Sequence, residues 1–261
     1  MRGLGLVAYG SEGVGKTSWA AQFTQLGKVR FLSVRESGLE DLLDAGIAPD
    51  GIEHYYPEDW EDLDRLTRST PEGTVVVDSL SGLQPVLFDY VCKTVYNGQM
   101  DGKDGFMSYW KGPRVDSPIY LNQYFEGLDM LRNKSVNVVL LGHMATEETP
   151  NTMGADYLTH TLDMDKAVRA ATLKWAQAVL FLSLDLNINR SVESVKDTVM
   201  LGKAKDTANR VIWTEKSPGH VAKNRMNLKP VIPLGTSPEE GFKNFYKALP
   251  ETYRRSFPLK G

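Results

Sequence analysis

The sequence is poor in the groups that staple or anchor small folds. Its 261 residues include one cysteine, Cys92, and four histidines, with no Cys/His cluster at zinc-ligand spacing. An internal disulfide scaffold and a structural zinc site are thereby excluded. Long apolar runs are missing too. Stretches such as 4–9, 136–141 and 178–182 fall far short of the ~20 residues of a membrane-spanning helix, and the start of the chain, with only Arg2 and a short run ending in glycine, lacks the layout of a secretory signal. No Lys or Arg occurs between Glu36 and Asp64, a stretch with eleven acids that reads as a solvated outer face. What is present, 41% hydrophobic and 24% charged residues with 23 Gly and 13 Pro, excludes disordered, collagen-like and coiled-coil chains. The expectation is one large cytoplasmic domain spanning residues 1–261.

A net charge of −3 gives no overall field toward nucleic acid or anionic lipid. The distribution is uneven: residues 201–261 hold 12 Lys and Arg against 5 Asp and Glu, and residues 1–200 hold 18 against 28. Any polyanion site must therefore be local.

Short β-branched runs alternate with amphipathic stretches, which predicts an α/β fold with a mostly parallel sheet flanked by helices. Strands are expected over 4–9, 29–34, 74–78, 136–141 and 178–184, and shorter ones near 199–201, 211–214 and 231–232 form a C-terminal β extension. Helices are expected over 17–26, 57–68, 81–96, 166–175 and 238–249. Leu121, Tyr124, Leu128 and Leu131 mark one face of a further helix. The segments 97–117 and 144–163 show no periodicity and read as long loops, which are usually functional or mobile. Internal repeats and low-complexity tracts are absent.

Residues 10–17, GSEGVGKT, satisfy GxxxxGK[ST] directly after a predicted strand and directly before a predicted helix. Glycines let successive backbone N–H groups face a phosphate, and a helix N-terminus adds partial positive charge. The pattern assigns nucleotide binding to Gly10, Ser11, Glu12, Gly13, Val14, Gly15, Lys16, Thr17 and Ser18. Lys16 would reach the β- and γ-phosphates, and the Thr17 hydroxyl would ligate Mg²⁺. A second metal oxygen is expected at the end of a parallel strand, where TVVVDS supplies Asp78; the alternative for an acid there is a helix cap, a role open to Ser79 or Ser81. Glu36, two residues past the strand ending at Val34, lies at the sheet edge where ligands bind, and is either the residue that activates water or a loop acid beside Arg35.

The set GSEGVGKT, FLSVRE ending at Glu36, TVVVDS and VVLLGH ending at His143 resembles the RecA-type ATPase core, above all the small phage-encoded RecA-like ATPases classed with single-strand annealing recombinases. The resemblance covers about residues 3–230. It implies a catalytic set of Lys16, Glu36 and His143, with Glu36 activating water and His143 sensing the γ-phosphate, and ATP with Mg²⁺ as cofactors. Ala222-Lys223-Asn224-Arg225 is similar to a basic segment that reaches a neighbouring subunit's γ-phosphate, so Lys223 and Arg225 would act in trans. Implied partners are single-stranded DNA, further copies of the chain and a single-strand-binding protein, in the cytoplasm of a host if the chain is phage-encoded. The sequence departs from RecA in having no arm before the phosphate loop, which leaves oligomer geometry open. Segment 144–163, where RecA-like proteins carry a DNA-contacting loop, has no Lys or Arg. Segment 97–117 has Lys103, Phe106, Tyr109, Trp110, Lys111 and Arg114, cations interleaved with rings on which bases stack or which pack onto the domain.

Two other readings stand beside a DNA-dependent ATPase: a phosphate-loop kinase for a small metabolite, and a nucleotide-dependent assembly module. A GTPase is disfavoured because no [NT]KxD motif occurs.

Overall fold

Strict alternation decides which helices each strand meets. In β1 (Gly5–Gly10) every residue is buried. Val7 and Tyr9 enter one apolar layer, and Leu6 and Ala8 the other. A strand buried on both faces reads as a continuous apolar run and belongs inside a helix-covered parallel sheet. The computed structural model describes residues 1–151, 154–189 and 203–260.

Parallel strands β1, β2 (Val29–Ser33), β3 (Ile52–Tyr55), β4 (Thr74–Asp78), β5 (Asn137–Thr149) and β7 (Ala178–Asn189) form the sheet's centre. At one edge β8 (Lys203–Trp213) runs antiparallel to β7, and β10 (Val231–Gly235) antiparallel to β8. These two strands are the expected C-terminal β extension. The order is β10-β8-β7-β1-β5-β4-β2-β3, with β6 (Tyr157–Leu162) paired to β5 and β9 (Lys223–Asn224) to β7. The strand expected near 199–201 lies outside the described residues.

Helices α1 (Lys16–Ala21) and α7 (Pro238–Ala248) cover one face, where Trp19, Phe23, Phe242 and Phe245 pack around Leu180 and Leu182. Trp19 and Phe245 meet edge to face at 5.2 Å. The other face carries α3 (Trp60–Arg68), α4 (Leu80–Tyr96), α5 (Ser117–Asn133) and α6 (Lys166–Trp175). Each fully buried aliphatic or aromatic side chain contributes about 1.5–3 kcal/mol, so these two layers carry most of the driving force. Helices α2 (Gly38–Asp44) and α8 (Glu251–Ser256) and strand β3, none of them expected, complete the chain.

Several expectations need correction. The helix foreseen over 57–68 starts at Trp60, because the Asp59 carboxylate caps the Asp62 N–H at 2.8 Å. The helix foreseen over 17–26 ends at Ala21 and tightens into a 3₁₀ turn, Gln22–Leu26. Most of segment 144–163 is strand rather than loop. β5 continues past His143 to Thr149 and pairs antiparallel with β6, from Met144↔Leu162 to Thr149↔Tyr157. Its Glu147 holds Arg169 with two contacts of 2.8 Å. Segment 97–117 is also compact. Phe106, 1% exposed, sits between Phe88 and Tyr96 at ring distances of 5.4 and 5.7 Å. The chain folds over it through a short turn, Ser108–Trp110, and a π-type turn, Gly112–Asp116, that runs into α5. No helix among the described residues is long and apolar enough to cross a membrane.

Candidate nucleotide site

The phosphate loop joins β1 to α1. Gly10 ends the strand where a Cβ would stand 2.2 Å from the Leu182 carbonyl, so β1 and β7 approach this closely only with glycine there. Gly15 precedes the helix at φ 97°, a left-handed conformation that side chains resist. Lys16, buried at 7% exposure, curls back over the loop and donates to the carbonyls of Gly10 and Ser11 at 3.0 and 2.9 Å. One N–H of its ammonium remains for a ligand. Burial lowers the Lys16 pKa, opposed by the carboxylates of Asp78, Glu36 and Glu12.

Asp78 closes β4, one strand removed from β1 because β5 lies between them. The Thr17 hydroxyl spans that gap and donates to Asp78 Oδ2 at 2.8 Å. Burial raises the Asp78 pKa and the Glu36 charge adds to the rise, while the Thr17 hydrogen bond, Lys16 and His143 oppose it. A hydroxyl and a carboxylate in contact are the oxygen donors Mg²⁺ takes when phosphates and waters complete its octahedron, so this pair fits the ion.

Glu36 is brought in by the turn after β2. Its Oε1 accepts from Ser79 Oγ at 2.8 Å and lies 2.7 Å from His143 Nε2. A carboxylate only accepts, so the imidazole proton is on Nε2. Nδ1 of His143 is buried and has no partner among the described residues. Oε2 of Glu36 carries no hydrogen bond there either, and Glu36 lines the same cleft as Lys16, Thr17, Asp78 and His143. Ser79, considered from sequence only as a cap, fills that role toward Gly82 N–H at 3.1 Å and orients Glu36 with the same hydroxyl.

Arg210 of β8 also lines this cleft. Nothing in the sequence marks it, since its position follows from antiparallel pairing with Leu184 of β7. Beside the cleft, Val14, Trp19, Leu234 and Pro238 line an open cavity of about 260 Å³, just under the ~300–1,000 Å³ of small-molecule sites.

The remaining candidates lie elsewhere. Lys223 pairs with Val179 of β7, three residues short of Leu182, the partner of Gly10. At ~3.3 Å per residue that is about 10 Å along the strand from the phosphate loop. Its ammonium donates to the carbonyls of Leu173 and Lys174 at 2.7 and 2.9 Å, at the end of α6. Arg225, exposed, is further away, with its backbone N–H on Gln177. Phe106 is withdrawn from the stacking candidates by its burial. Tyr109 is 94% exposed, Trp110 lies under the Arg114 guanidinium at 4.7 Å, and Lys103 and Lys111 line an open pocket with Tyr109.

A parallel sheet with this loop between β1 and α1, and acids at the ends of β2 and β4, defines a phosphate-loop nucleoside-triphosphatase fold. A family model described as an AAA domain matches residues 2–226. The chain belongs to that family and is an AAA-type P-loop ATPase domain. A search of the curated proteins finds no match to it.

Proposed function

We propose that the protein hydrolyses ATP in a Mg²⁺-dependent reaction and, as a RecA-like oligomer, acts on single-stranded DNA in recombination or annealing. The observation that carries the hydrolytic part is Glu36, held at Oε1 by Ser79 and His143 with Oε2 left open in a cleft that also contains Lys16 and the Thr17–Asp78 pair.

Water attacks the γ-phosphorus, the bond to the β,γ-bridging oxygen breaks, and ADP and phosphate leave. Glu36 Oε2 takes the proton of the attacking water, while the two donors at Oε1 fix the carboxylate's rotamer. Lys16 offers its remaining N–H to the β- and γ-phosphate oxygens. Thr17 and Asp78 would hold Mg²⁺, which when bound neutralises phosphate charge. The nucleoside is assigned to the adjoining cavity beside Val14 and Trp19.

The DNA part rests on the resemblance to RecA-like annealing proteins and on Lys103, Tyr109, Trp110, Lys111 and Arg114, an exposed group of rings and cations. Exposed Arg225 is the side chain suited to reach a neighbouring subunit, the trans role that the resemblance also gives Lys223.

The test is phosphate release from Mg²⁺-ATP with and without single-stranded DNA at two salt concentrations, with Lys16→Ala as blank. Release above the blank, stimulated by DNA and less so at higher salt, supports the whole reading. Release indifferent to DNA removes the DNA part, and release equal to the blank removes the ATPase.

A further inference from the structure

The cleft's charges do not balance for a polyphosphate. Glu12, Glu36, Asp41 and Asp78 line it against two long basic side chains, Lys16 and Arg210. A triphosphate entering such a site needs positive charge, and Lys16 already spends two of its three N–H donors on the loop's own carbonyls. Arg210 is unencumbered: no hydrogen bond or ion pair holds its guanidinium among the described residues, and the residue is exposed.

Its placement is fixed by the sheet. Arg210 pairs with Leu184 of β7 and Gly235 of β10, while Gly10 pairs with Leu182. The arginine therefore stands at the phosphate end of the sheet, whereas Lys223 and Arg225 lie toward the other end. Nη1 comes within 3.1 Å of the place a Cβ on Gly15 would take, so the guanidinium lies against the bare backbone next to Lys16. It also lines the neighbouring cavity and thus stands between the phosphate cleft and the space for the nucleoside.

Resting on the ATPase reading above, we propose that Arg210 binds the polyphosphate in its own subunit's site, from the β8 side, and stabilises negative charge that builds on it as the β,γ bond breaks. A planar guanidinium presents a fork of N–H donors matched to phosphate oxygens. The role is separate from that of Arg225, because Arg210 needs no neighbour to reach the cleft.

The experiment compares wild type, Arg210→Ala, Arg210→Gln and Arg210→Lys in steady-state Mg²⁺-ATP hydrolysis and in melting shifts with ADP and ATP. Melting of each nucleotide-free variant checks folding. Arg210→Ala and Arg210→Gln are expected to lower kcat about tenfold or more and to shrink the nucleotide-dependent melting shift, with Arg210→Lys between them and wild type. Mixing Arg210→Ala with Glu36→Gln is expected to restore nothing, since each site then lacks one of its own groups. Normal turnover in Arg210→Ala and Arg210→Gln overturns the inference and leaves the ATPase reading intact, as does recovery on mixing, which would move the arginine's action to a neighbour. A wild type that shows no melting shift with nucleotide overturns both.

Discussion

Ser79 Oγ sits 2.8 Å from Glu36 Oε1 and 3.1 Å from the Gly82 N–H, so one hydroxyl starts α4 and aims the carboxylate. Ser79→Ala is expected to cost about 1 kcal/mol of stability through the lost cap. It should also lower kcat about tenfold with KM unchanged, because Glu36 then keeps only His143 at Oε1. Ser79→Thr, which retains the hydroxyl, should recover most of the turnover. Glu36→Gln should lose at least about a hundredfold in kcat while keeping its melting shift with ATP. A Ser79→Ala protein with full turnover would show that the Glu36 contact has no positioning role.

Buried Asp78 makes the stability of the nucleotide-free protein pH-sensitive. Its folded pKa lies above the usual 3.8, burial being the largest cause. The folded nucleotide-free protein therefore binds this proton more tightly than the unfolded chain. The associated stability is complete below pH 3.8 and is lost as pH rises through the elevated folded value. Asp78→Asn cannot ionise, so its nucleotide-free form should melt a few degrees above wild type at pH 7, with the advantage shrinking toward pH 4.5. Mg²⁺-dependent hydrolysis should fall by at least about a hundredfold in the same variant. An advantage independent of pH would contradict the assignment.

Lys223 and Arg225 should separate. Burial first, then the Arg225 charge, brings the Lys223 pKa from 10.5 to about 8. Between those values the unfolded chain holds more protons than the folded one, so stability rises with pH across that window. Lys223→Met is expected to flatten this slope in denaturant titrations at pH 8 and 10 and to loosen the end of α6. Arg225→Ala should keep most of the slope, because burial is the larger cause of the Lys223 shift, and lower turnover, with recovery on mixing with Glu36→Gln if it serves a neighbouring subunit. Loss of turnover in Lys223→Met at unchanged stability would return the trans role to the lysine.

Phe106 and Tyr109 are three residues apart and predict opposite phenotypes. Phe106→Ala empties a site among Phe88 and Tyr96 and should cost about 3–5 kcal/mol in denaturant unfolding. Tyr109→Ala removes a ring that is 94% exposed and should leave stability within about 0.5 kcal/mol. If the ring stacks on a base, the same change should weaken single-stranded DNA binding by about 1–3 kcal/mol, measured by anisotropy of a labelled oligonucleotide at low salt. Unchanged binding would remove Tyr109 from the interface.

The phosphate loop, Glu36, Asp78 and His143 were legible because each follows or closes an apolar run, and in a parallel sheet the carboxyl ends of such runs lie on one edge. Ser79 was legible only as a cap, since its second hydrogen bond depends on how β2 and β4 pair. The hairpin of β5 and β6 escaped notice because its residues, Met-Ala-Thr-Glu-Glu-Thr and Tyr-Leu-Thr-His-Thr-Leu, lack apolar alternation and are held by pairing with each other. Phe106 carried the same signal as Tyr109 and Trp110, a ring among glycines and charges, and only tertiary packing tells a core ring from an exposed one. Arg210 could not be found by motif, because its distance from Gly15 is set by the register of β8 on β7.

The cleft gathers Gly15, Glu36, Asp78, His143 and Arg210, whose positions in the chain span almost two hundred residues. Between them stand crossover connections that must close before any parallel pair forms its ladder, and such long-range pairing is intrinsically slow. Of these groups the loop and Lys16 emerge first during synthesis and Arg210 last. On the emerging chain the groups for phosphate binding are therefore made long before β8 can dock on β7. The complete cleft exists only once β8 has docked on β7, so nucleotide turnover is expected to report on the finished sheet rather than on its first strand.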